Sequence, residues 1–83
     1  MSRITVVEMK GVPSHRRDCV EAAILEAGSF LVEDHEAWVV PARRPPAYNV
    51  RITGPRGFYR EVRFGGPESE AEIAAIIRQA MAS

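Results

Sequence analysis

The sequence predicts an α+β domain, a two-layer sandwich in which a mainly antiparallel sheet of about five short strands carries two helices on one face, in the order β-α-β-β-β-β-α. Three observations predict it. A β-branched run, RITVVEM, opens the chain; the segments near residues 14 to 27 and 67 to 82 repeat apolar residues at helical spacing; and most of what lies between alternates apolar with polar. At 83 residues the chain makes a single domain, 1–83. A chain of that length buries only roughly 60 to 65% of its unfolded surface, so its apolar residues must serve one small core, with little left for a deep pocket.

The elements follow in order. RITVVEM at residues 3 to 9 is the first strand, ended by Gly11 and Pro13. Val20, Ala23, Ile24 and Ala27 mark the first helix, with Ser14 placed to cap its start and Gly28 placed where a left-handed residue ends a helix. In SFLVEDHEAWVVP, Phe30, Val32, Trp38 and Val40 fall at even positions, which predicts two short strands joined by a loose loop through Glu33 to Glu36. ARRPPA, at 42 to 47, is a connection, because two prolines remove ladder donors. In the last segment Ile73, Ile76, Ile77, Ala80 and Met81 form one stripe, Pro67 suits a first turn, and Ser69 with Glu72 matches a capping box. Glu68, Glu70 and Glu72 sit where the helix dipole favours negative charge. With both helices on one side, the other face of the sheet is left to solvent or to a partner.

Register decides the fourth and fifth strands. An even-numbered loop would set Val50 against Glu61, whereas the three-residue loop Pro55, Arg56 and Gly57 restores matching faces, with Gly57 in a left-handed bulge position. The inner pairs become Tyr48 with Phe64, Val50 with Val62 and Ile52 with Arg60; the outer pairs become Asn49 with Arg63, Arg51 with Glu61 and Thr53 with Tyr59.

This hairpin raises the main functional question. From Ala42 to Phe64 there are six arginines and one acid, although the formal net charge of the whole chain is zero. Arg51 has its partner in Glu61, an exposed pair worth under about 1 kcal/mol. Arg56 and Arg60 lie at the tip, and Arg43, Arg44 and Arg63 lie roughly 20 Å away along the strands. They cannot converge on one small anion. Together with Tyr59, the set Arg43, Arg44, Arg56, Arg60 and Arg63 forms the candidate partner-binding surface, suited to an extended acidic partner. The rest of the chain carries ten acids and five basic residues, so the charge is polarised and not generally cationic.

No other constellation fixes a chemistry. Neither a dinucleotide fingerprint nor a P-loop is present. Arg16 and Arg17 stand in the opening turn of the first helix, where a bound phosphate would relieve them; neutralisation by Asp18 and Glu21 is the simpler expectation. His15 and Cys19 share a helical spacing without a third orienting group, and Cys19 is expected to be inert. His35, between Asp34 and Glu36, has no metal-ligand spacing around it. No cofactor and no metal is expected. The lone cysteine, the absence of a membrane-length apolar run and an opening unlike a signal peptide are the marks of a cytoplasmic chain.

The run VEAAILEAGSFLVEDHEAWVVP, with IAAIIRQAM near the end, resembles the small RNA-cleaving toxins of the HicA type. That resemblance implies a fold like the double-stranded RNA-binding domain and makes His35 the catalytic residue. The chain departs from it at Glu33 and Asp34, which stand where the toxins carry Gly-Ser and would repel a phosphate. The residues themselves favour a small non-enzymatic protein that binds a protein or nucleoprotein, of the kind found among phage and mobile-element accessory inhibitors such as anti-CRISPRs. An RNA-cleaving toxin is the second reading and a nucleic-acid-binding module the third.

Overall fold

The computed structural model describes residues 1–82. Its elements are β1 (Ile4–Met9), α1 (Ser14–Gly28), β2 (His35–Pro41), β3 (Tyr48–Thr53), β4 (Tyr59–Phe64) and α2 (Glu70–Ala82), with a short 3-10 turn at Pro55–Gly57. The architecture is α+β, with both helices under one four-stranded sheet of order β1-β2-β3-β4. β1 runs parallel to β2 and the remaining pairs are antiparallel.

The expected strand around Phe30 to Val32 does not form, and this is why the sheet has four strands instead of five. Leu31 N–H donates to the Gly28 carbonyl and Ser29 N–H to the Glu26 carbonyl, so the chain unwinds from α1 through turns before it reaches the sheet. His35 N–H then bonds Arg3 O at 2.7 Å, and β2 joins β1 across the helix instead of folding back on residues 30 to 32. Phe30 and Val32 are left exposed.

Two helix ends also differ from expectation. Pro13 occupies the N-cap of α1 and Ser14 is its first residue, so no side chain caps that end. Gly28 is not left-handed but the last helical residue; a Cβ there would lie 2.7 Å from Ile4 Cγ1 and 2.9 Å from Ile4 N. The glycine lets the end of α1 approach the start of β1, where Arg3 N–H bonds the Gly28 carbonyl. The capping box of α2 is present: Glu72 N–H donates to Ser69 Oγ, and Ser69 N–H to Glu72 Oε1. Pro67 and Glu68 precede this helix, which starts at Glu70.

The hairpin between β3 and β4 has the register that the face-matching argument requires, from Tyr48 with Phe64 through Thr53 with Tyr59. At its tip Gly57 has φ 76° and Arg56 has φ 58°, both left-handed. Val20, Ile24, Val39, Val50, Ile52, Phe64, Ile73 and Ile77 pack between sheet and helices. Each large side chain buried this way contributes about 1.5 to 3 kcal/mol. Glu36, Trp38, Val40, Asn49, Arg51, Thr53, Tyr59, Glu61 and Arg63 alternate with the buried set and form the face that no helix covers. Among the described residues no helix is long and apolar enough to cross a membrane.

Candidate partner-binding surface

The six arginines of the hairpin region separate by the groups they meet. On the open face Arg51 Nε donates to Glu61 Oε2 at 3.1 Å, and Tyr59 Oη donates to Glu61 Oε1 at 3.1 Å. Those bonds, that from Arg51 foremost, hold the Glu61 carboxyl below its ordinary range. At the tip Arg56 makes a two-pronged pair with Glu33, with Nη1 2.9 Å from Oε2, and this pair lowers the Glu33 pKa. Both pairs are solvent-exposed, so each adds little stability.

Arg60 points inward. Its guanidinium lies 4.6 Å from the centre of the Phe58 ring, its Nε donates to Ala80 O at 3.1 Å and its Nη1 donates to Tyr59 O at 2.8 Å. Arg60 thus brings positive charge and a donor to the last turn of α2, where carbonyls lack helical partners. Arg43, Arg44 and Arg63 are different. All three are exposed, and among the described residues none has a side-chain hydrogen bond or ion pair. Arg43 and Arg44 occupy the tight β2–β3 turn, closed by Ala47 N–H to Arg44 O and Ala42 N–H to Ala47 O. Arg63 stands at the same end of the sheet, in the row Val40, Asn49 and Arg63.

Below that end is a groove of about 490 Å³ lined by Val12, Pro13, His15, Pro46, Tyr48 and Pro67. Arg16, beside it, is spent on the fold: Nη2 donates to Gly66 O at 3.3 Å and to Glu68 O, while Nη1 is 3.7 Å from Cys19 Sγ. Arg17 donates to Met9 O at 2.6 Å. The expected neutralisation by Asp18 and Glu21 is therefore replaced by backbone carbonyls, which the nearby loops carry past the guanidinium groups. Burial acts to raise the Glu68 pKa, but hydrogen bonds from the Gly65 and Gly66 amides outweigh it and leave the carboxyl below its ordinary value. Tyr48 Oη is buried without a hydrogen-bond partner among the described residues, and burial foremost pushes its pKa up to about 12.

The residues singled out for chemistry have separate surroundings. His35 is 9% exposed. Its Nδ1 lies 2.8 Å from Glu33 O, and its ring meets the Phe58 ring edge-on at 5.1 Å. The ring lies against Gly54, where a Cβ would come within 2.7 Å of Nε2, and it lines a cleft of about 460 Å³ with Thr5, Asp34, Glu36 and Thr53. Cys19 is half-buried beside Arg16, and no hydrogen bond joins it to His15. Among the described residues no group of three or more His, Cys, Asp or Glu is placed to hold a metal ion.

Sequence reasoning missed Trp38 and Val40 as members of the open face, having grouped them with Phe30 and Val32. Their alternation with Ala37 and Val39 was the available signal, since the smaller pair is the one buried. Comparison of the chain with protein-family models, with characterised proteins and with solved structures gives no match.

Proposed function

We propose that this chain is a non-enzymatic binding protein whose contact surface is the basic end of the open sheet face, centred on Arg43 and Arg44. Arg63 and Val40 extend that surface, and its partner is an acidic patch on another protein. The observation that carries the reading is the partition of the arginines: Arg51, Arg56 and Arg60 are engaged within the fold, while the side chains of Arg43, Arg44 and Arg63 carry exposed charge that the described residues do not neutralise. Glu36 and Glu61 share the face, and their charge disfavours a polyphosphate backbone over a protein surface with its own mixed charges. An accessory inhibitor that occupies a surface of host machinery is one role for such a contact.

Affinity capture from lysate, with and without nuclease, tests this together with the double variant Arg43→Glu/Arg44→Glu. Capture of a nuclease-resistant protein partner should fall about tenfold or more in the double variant, as reversing interface charge does. It should be unchanged in His35→Gln and Cys19→Ser, each first shown to be folded by circular dichroism. Capture that depends on nucleic acid would give the surface to the nucleic-acid reading. RNA cleavage lost in His35→Gln alone would establish the toxin reading instead.

A further inference from the structure

β4 is an edge strand, and the centre of its outer edge has a self-complementary charge pattern. Gly54 N–H bonds Phe58 O, in phase with the register of β3 and β4. Antiparallel alternation then turns the main-chain groups of Arg60, Val62 and Phe64 toward β3 and those of Tyr59, Glu61 and Arg63 toward the open edge. The Tyr59 carbonyl on that edge accepts from Arg60 Nη1 at 2.8 Å, which leaves the main-chain groups of Glu61 and Arg63 for another strand. No proline or bulge interrupts the strand. Such an edge is a template for another strand.

We infer that β4 pairs antiparallel with β4 of a second copy of this chain, with Val62 facing Val62 across a two-fold axis, to make one continuous eight-stranded sheet. Keeping each face continuous requires odd residues to meet odd and even to meet even, which leaves few registers. Centring on Glu61 sets like carboxylates opposite each other, and centring on Arg60 or Arg63 sets like guanidinium groups opposite each other, all unfavourable. Centring on Val62 sets Glu61 against Arg63 twice by symmetry. Tyr59 then meets Gly65, whose N–H is already held by Glu68 Oε2 at 2.9 Å, so the main-chain bonds of the contact are those of Glu61 and Arg63 from each copy. Arg63, which has no ion pair among the described residues, gains one, and Glu61 comes to lie between Arg51 and the second copy's guanidinium.

The helix layer agrees with the same contact. Arg78 reaches back over the Phe30 ring, toward the end of α1. At 100° per residue Ile76 projects from the opposite flank of α2, on the β4 side of the molecule, and it is 39% exposed. A two-fold axis normal to the sheet at Val62 brings the two Ile76 flanks toward each other beneath the joined strands. A symmetric pairing of this kind uses one patch on both copies. Arg43 and Arg44, on the β2–β3 turn, remain outside it, whereas Arg63 belongs both to this contact and to the rim of the proposed partner surface.

Sedimentation equilibrium over a concentration series should show a monomer–dimer equilibrium, and Arg63→Glu should weaken it about tenfold or more by setting two carboxylates together on each side of the axis. In a Cys19→Ser background, Val62→Cys should form a disulfide-linked dimer on mild oxidation, because Cα atoms in a directly opposed strand pair lie within disulfide reach. Ile76→Cys in the same background should report the helix flanks with a short bifunctional crosslinker. A chain that stays monomeric to about millimolar concentration would overturn the inference. So would a dimer that Arg63→Glu leaves intact and Val62→Cys fails to crosslink, because that dimer would use another surface.

Discussion

Replacing Tyr48 with Phe should stabilise the protein, although it removes a polar group from the buried face of the sheet. The Tyr48 ring is 1% exposed and stacks on Phe64 with ring centres 5.4 Å apart, a contact that phenylalanine keeps. The hydroxyl contributes no hydrogen bond among the described residues. Burying a hydroxyl in that condition costs about 1 to 3 kcal/mol, and the small void left by its removal costs back less than about 1 kcal/mol. The net gain at pH 7 is about 1 kcal/mol, or roughly 4 to 8 °C in melting temperature for a domain of this size. A second signature appears in alkali. The phenol rises from 10.0 to about 12 on folding, so the unfolded chain releases its proton first. The associated stability is complete below pH 10 and is lost as pH rises through 12, an effect of about 2 to 3 kcal/mol. Urea denaturation at pH 7 and at steps from 9 to 12 measures both, and the variant should lack most of the alkaline decline, with Tyr59 contributing what remains. A lower midpoint at pH 7, or an alkaline decline equal to that of the parent, would refute the account of a buried hydroxyl without a partner.

Gly28→Ala should destabilise by about 1 kcal/mol, because overpacking against Ile4 at 2.7 Å and 2.9 Å costs more than the roughly 1 kcal/mol that alanine gains in helix propensity; a raised thermal midpoint would show that the end of α1 can move away from β1. Gly57→Ala should also cost about 1 kcal/mol, but solely through its φ of 76°, since a Cβ there meets nothing within 4 Å. An unchanged denaturation midpoint for Gly57→Ala would remove the left-handed turn from the explanation of the hairpin register.

The hairpin was legible because turn chemistry and face matching constrain the same few residues. Pro55 and Gly57 suit only certain loop positions, and a one-residue slip would set Val50 and Val62 against charges. The sequence therefore held enough local information to give every pair from Tyr48–Phe64 to Thr53–Tyr59. The pairing of β1 with β2 was not legible, because it joins segments separated by a helix and the β1 edge leaves no mark on residues 35 to 41. Phe30 and Val32 carried the same alternation as a strand, yet the turns that close on Gly28 and Glu26 carry them out to the surface. Gly28 shows the limit of local reasoning most directly. A glycine at the end of a helical stripe reads as a left-handed terminator, but here it makes room for Ser2 and Ile4, whose proximity only the tertiary fold reveals.

The arginines show why composition alone could not define the surface. Arg51 was separable, since its carboxylate lies directly across the strand at Glu61. Arg60 was separable in part, because the register already put it on the inner face opposite Ile52, where a guanidinium must find acceptors. Its acceptor is Ala80 O at the end of α2, a contact 20 residues away that no local pattern encodes. Arg56 is engaged across 23 residues by Glu33, from a turn segment whose alternation resembles that of a strand. Each long-range contact converts a charge counted as available into one already committed to the fold. What remains, Arg43 and Arg44 on a turn narrowed by two prolines and Arg63 at the same end of an uncovered sheet, is a smaller and more localised surface than the sequence indicated. Its compactness is what makes charge reversal at two positions a decisive test of the whole functional reading.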